Sequence, residues 1–133
     1  QKAIDKLSIR KDIPLDAQLI LQVGKIENSS WPTCDLINSS FALPLIESKN
    51  FSSVWKNINK SLKEGGRIAC QLFGERDSWF GKSGMTFHNR HAVELLLEGW
   101  VVEMLREEVE QSTTVRGELK LWHIFHIVAK KAP

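Results

Sequence analysis

The stretch Phe51-Ser52-Ser53-Val54-Trp55-Lys56-Asn57-Ile58-Asn59-Lys60-Ser61-Leu62-Lys63-Glu64-Gly65-Gly66-Arg67-Ile68-Ala69-Cys70-Gln71-Leu72-Phe73 changes its hydrophobic period halfway along. Phe51, Val54, Trp55, Ile58 and Leu62 fall at i, i+3, i+4, i+7 and i+11, one apolar stripe on a helix. Gly65-Gly66 supplies the left-handed residue that ends such helices. The segment from Arg67 to Phe73 is then almost uninterruptedly apolar, the pattern of a strand covered on both faces. A helix running straight into a buried strand is half of a βαβ unit, so a parallel sheet is expected.

Upstream, Asp35–Asn38 reads as a short strand that ends in the polar pair Ser39-Ser40 and then Phe41-Ala42-Leu43-Pro44. Asn28–Pro32 is a turn-rich loop. Gln18–Val23 is a compact apolar run ending at Gly24, a strand by length and flanks. Ile4 and Leu7, set among charges, make a short amphipathic helix that Ile13-Pro14 stops. Downstream, Gly74–Gly84 is a glycine-containing loop with Trp79 and Phe80. Asn89 is a good N-cap for a helix over Arg90–Glu98, and Gly99 ends it. Trp100–Leu105 and Leu119–Ala129 are strands, and the polar stretch Gln111–Gly117 between them predicts an antiparallel hairpin with a long, mobile loop. No repeat, low-complexity tract or linker divides the chain, so residues 1–133 are expected to form one α/β domain.

Composition narrows the function classes. Hydrophobic residues make up 42% and charged residues 26%, a globular balance, and the longest apolar runs are far too short to cross a bilayer. A net charge of +2 and the absence of a basic run argue against a nucleic-acid partner. Two cysteines, Cys34 and Cys70, are too few for a disulfide scaffold, and no signal peptide is visible, which predicts a reducing, cytoplasmic setting. His123 and His126 are three apart and give no metal-ligand spacing with the cysteines, so no metal site is expected. The chain opens on Gln1 directly in a helical pattern, which suits part of something longer as well as a processed terminus.

From Asp35 to the C-terminus the layout resembles the second part of a class I S-adenosylmethionine-dependent methyltransferase. Asp35-Leu36-Ile37-Asn38-Ser39-Ser40-Phe41-Ala42-Leu43-Pro44 looks like the motif after that family's fourth strand, and Leu62-Lys63-Glu64-Gly65-Gly66-Arg67 like the entry to its fifth. Met85-Thr86-Phe87-His88 with Glu98-Gly99-Trp100 resembles the small-molecule branch that includes the tellurite-resistance methyltransferases. The resemblance implies a partial Rossmann-like sheet, mostly parallel, with an antiparallel C-terminal hairpin and helices on both faces. It places Gln1–Lys11 as the helix after the family's second strand and Gln18–Val23 as its third. The glycine-rich turn that grips the cofactor, and the acidic strand end that binds its ribose, have no counterpart in this sequence.

S-adenosylmethionine is the cofactor the resemblance implies, and a small molecule the acceptor. Ile26 (through its backbone) or Glu27 would contact the adenine, or belong to a solvated loop. Asn38, Ser39 and Ser40 end a strand at the ligand edge of the sheet and would hold the methionine part; the alternative is a turn capped by their own side chains. Phe41 and Leu43 would flank a ligand or simply pack. Gln71 and Phe73 end the next strand, and Arg76, Asp77, Trp79 and His88 offer a cation, a carboxylate, an aromatic ring and an imidazole near the acceptor pocket. His88 is a candidate general base. Methyl transfer needs alignment more than a base, so no catalytic residue is assigned. The competing function is a non-catalytic methyltransferase-like remnant that serves as an oligomerisation or interaction module. With the family's first two strands lacking, Asp35–Asn38 would leave an open edge, which predicts either that Gln18–Val23 docks on it or, as the favoured outcome, a homo-oligomer.

Overall fold

A computed structural model describes residues 1–133, which divide into two compact units, Gln1–Ser30 and Trp31–Pro133. The first unit holds helix α1 (Lys2–Ser8) and a single 3₁₀ turn at Ile26–Asn28. Gln18–Val23 forms no strand, against the expectation from its apolar run, and Ile20 and Val23 are exposed. A strand is a paired structure: its backbone amides and carbonyls need a neighbour, which composition does not supply.

The second unit is a five-stranded sheet with two helices. Its elements are β1 (Cys34–Ser39), α2 (Ser48–Ser61), β2 (Leu62–Gly74), β3 (Phe87–His88), α3 (Arg90–Leu96), β4 (Trp100–Thr113) and β5 (Leu119–Lys131). The strands lie in the order β1-β2-β5-β4, with β3 also on β2. β1 and β3 run parallel to β2, whereas β2/β5 and β5/β4 are antiparallel. The predicted combination of a parallel part and a closing antiparallel hairpin is therefore present.

Helix α2 buries Phe51, Val54, Trp55 and Ile58, the predicted stripe, each worth roughly 1.5–3 kcal/mol of apolar burial. It ends differently from the expectation. Leu62 is already extended (φ −74°, ψ 131°), and the Lys131 ammonium donates to the carbonyls of Asn59 and Leu62 at 2.6 and 2.7 Å. A lysine cap thus does what a left-handed glycine does elsewhere. Gly65 (φ +76°) instead lies inside β2, where the register against β1 jumps from Cys34↔Leu62 to Leu36↔Arg67. Gly66 brings the backbones together: a Cβ there would stand 2.9 Å from the Lys63 carbonyl and 3.1 Å from that of Asp35.

Alternation then sorts the sheet into two faces. Ile68, Cys70 and Leu72 pair with Ala129, Ile127 and Phe125, and all six are buried in the core with Val93 and Leu97. On the other face Arg67 is exposed and Ala69 and Gln71 only half-buried, so β2 is fully covered on one face and not on both. That second face, at the end where Phe73 pairs with Ile124, carries the candidate site.

Hairpin β4–β5 is longer than its apolar pattern suggests. Pairing continues to Thr113↔Leu119, closed by a tight turn in which Thr114 N–H donates to the Glu118 carbonyl at 2.8 Å. Of the long mobile loop expected over Gln111–Gly117, Gln111–Thr113 is strand and the rest is the tight turn. Charged residues on both faces of Arg106–Glu110 hid the strand, because a solvated hairpin end has no apolar alternation to read.

Candidate functional site

A cleft of about 490 Å³ opens on the second face of the sheet. The chain after β1 contributes Phe41 and Leu45, β2 contributes Phe73, and the loop after β2 contributes Trp79. The hairpin supplies the rest by its two-residue period. Glu108, Glu110 and Ser112 on β4 stand opposite Ile124, Trp122 and Lys120 on β5, and all of these except Lys120 line the cleft.

The floor is a set of edge-to-face rings. Phe73, Trp79 and Trp122 have centroids 5.5 to 6.1 Å apart, at interplanar angles of 61 to 66°. This is the preferred geometry for aromatic pairs. Behind them lies a buried ion pair. The Lys120 ammonium meets the Asp77 carboxylate, and both side chains are essentially inaccessible. Asp77 also accepts from Trp79 N–H through Oδ1 and from His123 N–H through Oδ2, each at 3.0 Å. The ammonium lies 3.8 Å from the Trp122 ring centroid and 4.3 Å from that of Trp79. Burial pulls the Lys120 pKa down while the Asp77 carboxylate pulls it up, with a net lowering. Asp77 thereby staples the loop after β2 to β5, assisted by Ser78 N–H on the Leu121 carbonyl at 3.0 Å.

A second network lies under the same loop. His123 Nδ1 accepts from Arg76 N–H at 3.0 Å, which places the ring proton on Nε2, 2.8 Å from Glu107 Oε1. Glu107 also meets the guanidinium of Arg76 at 3.2 Å, and its carboxyl is held below the usual range, chiefly by His123. Gly74 makes room for this imidazole, since any Cβ at that position would overlap the His123 ring.

The opposite wall is less saturated. Phe41 adopts φ +54°, an unusual left-handed conformation for a bulky residue, and its N–H donates to Gln71 Oε1 at 3.1 Å. Strain of this kind clusters at functional sites. Ser39 is 7% exposed, and its hydroxyl has no hydrogen-bond partner. Asn38 and Ser40 are exposed at the same strand end.

Of the residues singled out from sequence, the fold brings Phe41, Phe73 and Trp79 into the cleft and ties Gln71 to it through Phe41. Asn38, Ser39 and Ser40 lead into it at the carboxyl end of β1. Arg76 points its guanidinium to Glu107, and Asp77 is occupied by Lys120 and two backbone amides. His88 lies on β3 with its ring 4.6 Å from that of Phe51, and burial pushes its pKa down to about 4. Its Nδ1 has no partner. Ile26 and Glu27 lie on the 3₁₀ turn of the first unit, both half-buried. Leu43 is fully buried and packs. Sequence reasoning missed Leu45, Glu108, Glu110, Ser112, Trp122 and Ile124; the parity of Trp122 with Ile124 was the available signal, once the hairpin register is known. No group of three His, Cys, Asp or Glu side chains is arranged to hold a metal, and no helix is long and apolar enough to cross a membrane.

The strand order with its antiparallel closing hairpin, and a cleft at the carboxyl ends of the parallel strands, define the class I S-adenosylmethionine-dependent methyltransferase fold. Among solved structures the chain is similar to TehB from Haemophilus influenzae, with a TM-score of 0.70 at 13% identity, over 83% of this chain and 40% of that one. It is similar to a SAM-dependent methyltransferase from Methanosarcina mazei, with a TM-score of 0.61 at 17% identity, over 84% and 66%. It is also similar to the N-methyltransferase NodS from Bradyrhizobium japonicum, with a TM-score of 0.52 at 16% identity, over 81% and 57%. The chain thus spans 40 to 66% of the length of these structures. No family model matches the sequence, and no curated protein does.

Proposed function

We propose that these 133 residues carry the acceptor side and the methionine end of a methyltransferase site, in one domain that is catalytically complete only with the elements that bind the rest of S-adenosylmethionine. The observation that carries this reading is the end of β1: an orphaned buried hydroxyl at Ser39 and a strained Phe41 beside an aromatic cleft. A buried polar atom without a partner costs about 1–3 kcal/mol unless something satisfies it. An amino-acid headgroup is rich in donors and acceptors and fits that need. Ser39, Ser40 and the backbone to Phe41 would hold it, with Asn38 beside them.

When bound, S-adenosylmethionine supplies an electrophilic methyl group on a sulfonium. The residues of this chain do the rest by placement. Phe41, Phe73, Trp79 and Trp122 confine a small acceptor and exclude water, and Gln71 holds the backbone of Phe41. His88 is uncharged near neutrality, but it is turned onto Phe51, so alignment and not proton transfer is the contribution we assign to this chain. We assign a small-molecule acceptor on the motifs Met85–His88 and Glu98–Trp100, which resemble the tellurite-resistance-like branch, and a cytoplasmic setting.

Backbone NMR with S-adenosylhomocysteine tests the reading. Millimolar ligand should shift the amides of Ser39, Ser40 and Phe41, with weak affinity because the glycine turn and ribose carboxylate are lacking. No shift at these residues overturns the proposal, and a low-micromolar affinity overturns the account of an incomplete site.

One observation favours the second reading, an oligomerisation module. β1 pairs only with β2, so its other edge is open, and Leu36 on it is exposed. Light scattering coupled to size exclusion should then show a dimer; a stable monomer near 15.2 kDa removes that reading.

A further inference from the structure

The polar groups that line the cleft include no cation. Glu108 and Glu110 only accept hydrogen bonds, and Ser112 is a hydroxyl; no lysine, arginine or histidine lines it. Glu108 already has cationic company, with His126 Nε2 at 2.7 Å and Arg106 Nη2 at 3.4 Å. Its carboxyl is held below the usual range, chiefly by His126. Glu110 has no cation within ion-pair distance. One carboxylate at the cleft is therefore left without a counter-charge.

The apolar lining has its own preference. Rings present their negative faces to cations, best of all Trp. Two ammonium groups of the protein already exploit this, Lys120 on Trp122 and Trp79 from the buried side, and Lys82 at 4.8 Å from Trp79. Both Trp rings also face the cleft, and a volume of about 490 Å³ suits a molecule of small-metabolite size.

From this charge complementarity we infer that the cleft binds a small organic cation, an ammonium-bearing molecule whose charge lies between the Trp122 ring and the Glu110 carboxylate. The inference rests on the reading of this cleft as the acceptor side, and it narrows the acceptor to a molecule that carries an ammonium group for binding and receives the methyl at a different atom with a free lone pair, because an ammonium nitrogen has none. Neutral aromatic molecules would fit the rings but leave Glu110 unmatched.

The test compares choline with its uncharged isostere 3,3-dimethyl-1-butanol, each titrated into the 133-residue chain while the indole N–H of Trp122 and the amide of Glu110 are followed by NMR. Choline should bind about tenfold more tightly than the isostere. Glu110→Gln, an isosteric change on an exposed strand, should remove most of that preference without disturbing the spectrum elsewhere. Equal affinities, a preference for the isostere, no response at Trp122, or a preference that survives in Glu110→Gln each overturn the inference. The response of Ser39–Phe41 to S-adenosylhomocysteine is read from different residues, so failure of the cation proposal is distinguishable from failure of the methyltransferase reading.

Discussion

The two walls of the cleft are built on opposite terms. On the hairpin wall every buried polar group is matched: Asp77 takes Lys120 and two backbone amides, and His123 lies between Arg76 N–H and Glu107. On the wall made by the carboxyl ends of the parallel strands, Ser39 Oγ is buried without a partner and Phe41 holds a strained backbone. The first wall is a finished structure that fixes its rings in place. The second is unfinished in the sense that matters for binding, since its unsatisfied hydroxyl gains by meeting a ligand.

The largest effect should come from breaking the finished wall. Asp77→Ala strands the Lys120 ammonium in a buried aromatic setting and should destabilise the chain by roughly 3–5 kcal/mol in urea unfolding. The double change Asp77→Leu with Lys120→Met removes both charges and should cost clearly less than Asp77→Ala alone. If the double variant is the weaker of the two, the pair is not the staple described here.

A smaller effect is expected beside the other wall, on β3, where the His88 ring packs on Phe51. His88 is pushed down to about 4 by burial, whereas an unfolded chain has it near 6.5. As pH falls, the unfolded state takes up this proton first, so the contribution of His88 is complete above about pH 6.5 and is lost between there and pH 4. His88→Phe keeps the ring against Phe51 and should flatten the stability profile in that window by about 2 kcal/mol. An unchanged difference between the midpoints at pH 7.5 and 4.5 would show that His88 is open to water.

The contrast also explains what the sequence could and could not reveal. Helix α2 was legible because its stripe Phe51, Val54, Trp55 and Ile58 repeats at 3.6 residues and is buried as written. The order of β1, α2, β2, α3 and hairpin followed from the same local signals, although Gly65-Gly66 serves a strand register and Lys131 caps the helix from 69 residues beyond Leu62. Phe41, Phe73 and Trp79 were found because strand ends and loop aromatics mark ligand edges. Glu108, Glu110 and Trp122 escaped because their role depends on cross-strand register, which no local pattern contains. Gln18–Val23 misled for the same reason: an apolar run is a strand only where something pairs with it.

The central claim is that one wall serves the cofactor and the other the acceptor, and a single substitution separates them. Ser40 is exposed at the end of β1, so Ser40→Trp should leave the fold intact while crowding the methionine end. In this variant the account predicts that the Ser39–Phe41 response to S-adenosylhomocysteine is lost while the Trp122 response to choline is retained within about twofold. Loss of both responses together, or of neither, would contradict it.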